Sequence, residues 1–425
     1  MVDRLLDRKP AWLAGNGPEA PVVVASECSL LRNLSDFPFP ARCSEEERRA
    51  VEDRLMGALG SSKLLSSGKY YALSGSLSAS QSNGKGGVEN RFAVERLLAE
   101  RWLVAFYEVR STGLRSGVRF EAPEGVYVAD DQSMSVMVNG ADHLCVRVLA
   151  SGMQVLDVWA RLNLVDDTLA NALGFAFDDR YGYFTADLGY VGTALKANVI
   201  LHLPCLTMAG QIVQVAQMAR ERRQLLAGLK PAVAFRLRTP AKAASVQQGR
   251  PGQEKPPASR KSVPVKTEVT SEALYSDWYG RMHGAAAEAE GDLYALCNTA
   301  TLGLSEEEIL FHLRQTAAEI VAREQQARET LQQENGLRLD DRVARAMGLA
   351  RTARLLEFRE ALALLSSIRL GVTAGMIKDY SVQQLNNLLL ESQSFHVRMK
   401  TGEDTDELTL GAKRAELFRA RFSRN

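Results

Sequence analysis

Residues 183–206, "YFTADLGYVGTALKANVILHLPCL", decide how the rest of the chain is read. Small and apolar residues alternate around Gly189 and Gly192, and the stretch ends in an apolar run broken by His202 and Pro204. The pattern is that of an active-site loop feeding a strand, with a nucleophile or ligand expected at its centre. That centre is Asp187. Whether this is a working site or only the outline of one depends on the residues around it.

The surrounding chain has 425 residues, 46% hydrophobic and 24% charged, enough for two domains with separate cores. Its most apolar window, 199–219, carries His202, Pro204, Gln211, Gln214 and Gln217, which a membrane-spanning helix would leave without partners. Residues 1–10 are charged throughout and lack the apolar centre of a signal peptide. The five cysteines (Cys28, Cys43, Cys145, Cys205, Cys297) are odd in number and never spaced as CxxC, so reduced thiols and a cytoplasmic location are expected. His202 and Cys205 lie three apart, but no second pair completes a zinc set. A net charge of +1 sets nucleic acid aside as the main partner.

Composition changes most sharply at 240–268, "PAKAASVQQGRPGQEKPPASRKSVPVKTE", five prolines and six Lys or Arg with almost no large apolar residue. A mobile insertion is predicted there, and a milder Ser/Gly-rich loop at 75–88. Before the insertion, short β-rich runs at 21–25, 126–129, 135–138, 145–149 and 197–203 mix with helical patterns at 44–59, 94–103 and 211–228. Such irregular order predicts an α+β domain with an antiparallel sheet. From Ser305 the pattern is helical. Ser305 and Glu308 form a capping box, Ile309, Leu310, Leu313, Ala317, Ile320 and Val321 share one face, and further helices are predicted at 339–355, 357–367 and 381–391. The division is thus a tail at 1–20, an α+β domain at 21–304 and a helical unit at 305–425.

Five segments, 25–40, 133–146, 175–206, 293–309 and 339–372, together resemble the ATP:guanido phosphotransferases, most of all the bacterial protein-arginine kinases. The resemblance implies a phosphagen-kinase-like antiparallel sheet flanked by helices, followed by a helical C-terminal unit that forms a homodimer. It also implies phosphoryl transfer from ATP to a guanidinium, in which arginines clamp the phosphates and carboxylates orient the acceptor.

Position by position, the expected groups are replaced. The two phosphate arginines of a Ser-x-Arg-x-Arg segment correspond to Glu27 and Ser29, leaving Arg32 with Asn33. The two substrate-orienting carboxylates correspond to Gly140 and Ala141, and a further arginine to Cys145, while Asp142 and His143 persist as buried structural residues. Asp187 stands where the family has cysteine, and Lys196 where it has arginine, keeping charge but losing the bidentate fork. The lid arginine is either Gly280, with Ala285 at the lid glutamate, or Arg236. In the C-terminal Arg-Asp-x-x-Arg-Ala motif, which implies a phosphoarginine-sensing pocket, residues 410–415 keep only Arg414 and the final alanine.

An Arg–phosphate pair at 4 Å contributes about 4 kcal/mol at an effective dielectric near 20, so Glu27 reverses a term of that size. On this arithmetic the sequence predicts a catalytically degenerate kinase fold, acting as scaffold or allosteric regulator of an active relative or of a protein-quality-control component. No cofactor is then expected, with ATP and Mg²⁺ only if nucleotide binding is retained through Arg32, Lys196 or Arg236. The alternative is an active protein-arginine kinase with a rebuilt site that uses Arg32, Asp187, Lys196, Arg236 or Arg281. A third reading, the basic insertion as a binder of an acidic partner or nucleic acid, ranks below a solvated tether.

Overall fold

The computed structural model describes residues 3–62, 67–73, 94, 97–103, 124–229, 289–402 and 405–423. The predicted insertion and the 75–88 loop lie outside them, as do Arg236, Gly280, Arg281 and Ala285. The described residues build one eight-stranded antiparallel sheet. Its strands are β1 (Val23–Arg32), β2 (Gly68–Ala72), β3 (Gly125–Ala129), β4 (Met134–Val138), β5 (Leu144–Ser151), β8 (Leu195–His202), β9 (Gln224–Gly228) and β10 (Leu293–Asn298). They lie in the order β2-β3-β4-β5-β1-β8-β10-β9. A small hairpin of β6 (Phe177–Asp178) and β7 (Gly182–Tyr183) stands beside the sheet.

Period-two alternation gives the sheet two different faces. Cys28 and Leu30 of β1, Val146 and Val148 of β5, and Val199 and Leu201 of β8 point to the larger core. There they meet Leu55 of the helix Glu45–Ser61, Leu162 of Val155–Ala170, and Leu313 and Ile320 of the long helix Glu306–Thr352. The opposite face carries a smaller apolar cluster of Leu31, Met137 and Cys145 with Leu97 and Leu98. At its other end Leu149, Ile200 and Ala295 pack under Trp12 and Leu390, with Trp102 stacked on Trp12 at 4.4 Å. Between these two patches lies a charged strip that includes Glu27 of β1 and Arg147 of β5.

The capping box at Ser305 forms, with the Glu308 amide donating to Ser305 Oγ at 3.2 Å and the Ser305 amide to Glu308 Oε2 at 2.8 Å. The helix it starts runs for 47 residues and absorbs the separate helix predicted at 339–355. Asn335, at φ −139°, interrupts it next to Gly336, two residues with poor helix propensity. The helical pattern at 211–228 also needs revision: the helix stops at Glu221, and Gln224–Gly228 pairs with β10. Pairing outweighs the local pattern, and Arg223 turns the chain with φ +56°. Helices Phe358–Thr373, Val382–Glu391, Ser394–Thr401 and Glu407–Phe422 complete the C-terminal part, whose own core includes Ile368, Leu385, Phe418 and Phe422.

Buried polar contacts fix that part to the sheet. Glu100 accepts the amides of Phe395 and His396 at 2.8 and 3.0 Å and pairs with His396 Nδ1 at 2.7 Å. Arg101 Nε donates to His396 Nε2, so the imidazole is neutral with its proton on Nδ1. His202 Nε2 meets Ser366 Oγ at 2.9 Å, and Ser366 donates to Asp292 at 2.5 Å, where Arg342 also binds. Arg369 donates to the Ala20 carbonyl, and Arg414 to the carbonyls of Ser392 and Leu356.

Burial holds His143 down at about 4, and also lowers His202 and His396, so all three are neutral when folded and gain protons on unfolding below 6.5. Stability is therefore full above pH 6.5 and is lost as pH falls, by up to about 1.4 kcal/mol per pH unit for each neutral histidine. Glu324, raised by burial to about 7 while capping the Cys205 and Leu206 amides, opposes this between its ordinary 4.5 and 7. Glu52 and Asp166, also raised by burial but from lower ordinary values, add to that opposition toward the acid end of the range, and the three histidines prevail between pH 5 and 7. Thermal melts should show a clearly lower transition at pH 5 than at pH 7; a higher one at pH 5 would contradict this assignment.

Candidate active site

The charged strip follows from the register of the three central strands. In β1, Ser29 lies opposite Arg147 of β5 on one side and Lys196 of β8 on the other. Directly opposed residues of an antiparallel pair share a face, so Lys196, Ser29 and Arg147 form one row, with the backbones of the two basic residues about 10 Å apart across two strand spacings. In the next row Asn198 lies opposite Glu27.

These rows are bonded to one another. Arg147 Nε stands 3.3 Å from Glu27 Oε1, both side chains buried. The same oxygen accepts from Ser29 Oγ at 3.2 Å and from Asn198 Nδ2 at 3.3 Å. Arg147 also donates to the Trp102 carbonyl at 3.2 Å. Lys196 is half-buried, its ammonium 4.5 Å from the centre of the Tyr190 ring, a cation–π contact. Cys297 lies opposite Asn198 on β10, and burial, with Glu27 adding to it, pushes its thiol up to about 12. The thiol is therefore protonated and no nucleophile at neutral pH.

Asp187 belongs to the rim. It is exposed, and its Oδ1 accepts the Gly189 amide at 3.0 Å, capping the short turn Leu188–Tyr190. Gly192 holds this loop against the sheet. Its φ is +120°, and a Cβ there would stand 3.0 Å from the Thr301 carbonyl oxygen and 3.1 Å from Leu302 Cα.

Other residues singled out in the sequence lie elsewhere. Arg32 is on the opposite face of β1, where it donates to Asp166 at 2.8 Å, to the Leu31 and Thr193 carbonyls, and lies 3.5 Å over the Tyr183 ring. With its donors committed and its side chain buried, it is not placed beside Lys196. Cys145 packs among Leu31 and Met137. Gly140 and Ala141 form the turn between β4 and β5. Asp142 accepts from Asn33 Nδ2 and the Ala186 amide, and His143 Nδ1 accepts from the Leu34 amide. Sequence reasoning passed over Arg147. The signal was present, because a residue two places beyond Cys145 on a strand shares its face.

Residues 51–232 match the ATP:guanido phosphotransferase, C-terminal catalytic domain, and residues 336–425 match the protein-arginine kinase McsB C-terminal domain. Protein-arginine kinase of Symbiobacterium thermophilum is 29% identical over 415 residues, covering 97% of this chain and 96% of the relative. The chain is similar to the ATP:guanido phosphotransferases in both of its parts. Protein-arginine kinases of Syntrophomonas wolfei, at 28% identity over 97% of the chain, and Bacillus subtilis, at 26% over 98%, align along almost their whole lengths. Lombricine kinase, a solved structure, is similar over 73% of this chain at 20% identity and a TM-score of 0.43.

These matches correct the expectation of a degenerate scaffold. The relatives that align from end to end are named as kinases. The charge arithmetic behind that expectation compared motif positions one at a time. Arg147 brings a guanidinium to the row of Ser29, one row from Cys145 on the same face.

The buried pair makes a stability prediction. Arg147→Ala leaves Glu27 buried without its counter-charge and should cost about 3–5 kcal/mol in urea unfolding. Glu27→Leu combined with Arg147→Met should recover most of that loss. A single-site cost below about 1 kcal/mol would show that the pair is solvated.

Proposed function

We propose that this protein transfers the γ-phosphoryl group of ATP to the guanidinium of arginine side chains in proteins. The observation that carries this reading is the end-to-end similarity to protein-arginine kinases, 97% of this chain against 96% of one relative. The charged strip supports it. Phosphoryl transfer asks for positioned reactants and neutralised charge, and Lys196 and Arg147 flank Ser29 with one point charge and one planar fork.

In this reading Arg147 and Lys196 hold the phosphates, and Ser29 donates to a phosphate oxygen between them. As Arg147 turns to the phosphates, Glu27 receives the substrate guanidinium, the chemical group it already binds in Arg147. The guanidinium nitrogen attacks phosphorus and its proton passes to Glu27. The bond to the ADP oxygen breaks, and ADP leaves with that electron pair. Among the described residues no three His, Cys, Asp or Glu gather as metal ligands. A Mg²⁺ ion accompanying the triphosphate would then be coordinated mainly by its oxygens and water. All five cysteines are unpaired, in keeping with work in the cytoplasm, and no described helix is long and apolar enough to cross a membrane.

Full-length protein incubated with radiolabelled ATP·Mg²⁺ and an arginine-rich protein should form an acid-labile label that mass spectrometry assigns to phosphoarginine. Lys196→Ala should lower kcat/KM about 100-fold, the equivalent of about 2.7 kcal/mol of transition-state stabilisation, and Lys196→Arg should retain most activity. Absence of label under conditions where another protein-arginine kinase modifies the same substrate would sink the proposal.

A further inference from the structure

Beside the charged strip lies an apolar surface that the proposed chemistry does not use. Among the described residues fourteen large apolar side chains are exposed, and five of them, Phe177, Tyr181, Phe184, Leu188 and Leu302, belong to one corner of the molecule. Their segments are joined in space. Phe177 pairs with Tyr183 across the β6–β7 hairpin, and Tyr183 bridges to Gly192. Leu302 stands against Gly192, and Thr301 Oγ1 donates to the Val191 carbonyl at 2.9 Å. Leu188, 84% exposed, projects from the turn that Asp187 caps, and Tyr190 of that turn carries Lys196 over its ring. The apolar corner and the charged strip thus share one loop.

The corner is also acidic. Between Phe177 and Tyr190 stand Asp178, Asp179 and Asp187 against the single Arg180. Arg180 lies over the Tyr181 ring at 5.2 Å, and Asp178 spends one oxygen on the Arg180 and Tyr181 amides. Apolar side chains ringed by carboxylates complement a segment that is apolar and cationic at once.

We propose that this corner docks an extended segment of the protein substrate in which apolar side chains flank the target arginine, delivering its guanidinium to the strip beyond Asp187. The proposal rests on the kinase reading for the fate of the arginine, but docking itself is independent of catalysis. Apolar neighbours of the arginine, rather than a fixed charged motif, then set substrate preference.

Two labelled peptides of equal net charge test it, each with one central arginine, flanked in one by leucine and phenylalanine and in the other by serine and glycine. Fluorescence anisotropy with the full-length protein and no nucleotide should show the apolar-flanked peptide bound about tenfold tighter, the effect of roughly 1.4 kcal/mol from partial burial of one or two such side chains. Leu188→Ser and Phe177→Ser, exposed positions whose thermal melts should match the parent, should each remove most of that preference. Equal binding of the two peptides would overturn the proposal, as would a preference that survives both substitutions. So would a sedimentation shift from dimer to monomer in Leu188→Ser with peptide affinity unchanged, which would make the corner a contact between copies. Phosphoryl transfer to the bound peptide is scored separately: patch-dependent binding without transfer sinks the kinase reading and leaves the docking surface standing.

Discussion

The buried pair of Glu27 and Arg147 is the interaction on which the organisation of the front face depends. Taking two charges out of water is expensive, and a buried ion pair commonly does no better for stability than apolar residues of the same size. Here the cost is offset by added donors, because Ser29 and Asn198 both feed the carboxylate oxygen that Arg147 approaches. All four groups come from the three central strands, so β1 must sit between β5 and β8 in one register. A slip of one residue would send Glu27 into the apolar core behind the sheet, where Cys28 and Leu30 now lie.

What surrounds the strip keeps it at the right depth. Apolar clusters cover the same face at either end of the strip, one under Leu97 and Leu98 and the other under the stacked pair of Trp12 and Trp102. The first carries Glu100 and Arg101, which grip His396, and the second meets Leu390. The C-terminal helices are therefore part of the site's frame. Neutral histidines suit these joints, since each can donate at one nitrogen and accept at the other without introducing a further buried charge.

Most of the fold was legible in the sequence because burial leaves a period. The strands at 126–129 and 135–138 and the helical C-terminal part carry it, and the capping box at Ser305 marks where that part begins. The missed portions fail for one reason. The strand predicted at 21–25 runs on to Arg32, but Ser26, Glu27 and Ser29 break the alternation there, polar groups buried by tertiary partners that no local pattern reveals. In the same way the helical pattern runs on through Gln224–Gly228 because nothing local announces β10 as its neighbour. The site was less legible than the fold. Motif comparison assigns a role to a sequence position, whereas charge belongs to a point in space.

That distinction explains how the family's pattern can change without vacating the strip. On a strand, a residue two positions away presents its side chain on the same face, and the residue across the ladder does so as well. Position 147 therefore shares a face with 145 and stands directly across from Ser29, so its guanidinium lies beside both. Arg32 shows the converse. It matches the motif's neighbourhood and keeps its guanidinium, yet odd spacing turns it to the other face, where Asp166 and the Tyr183 ring engage it. By sequence position Arg32 is the arginine nearest to Ser29; by face, taken through the register of β1, it is Arg147.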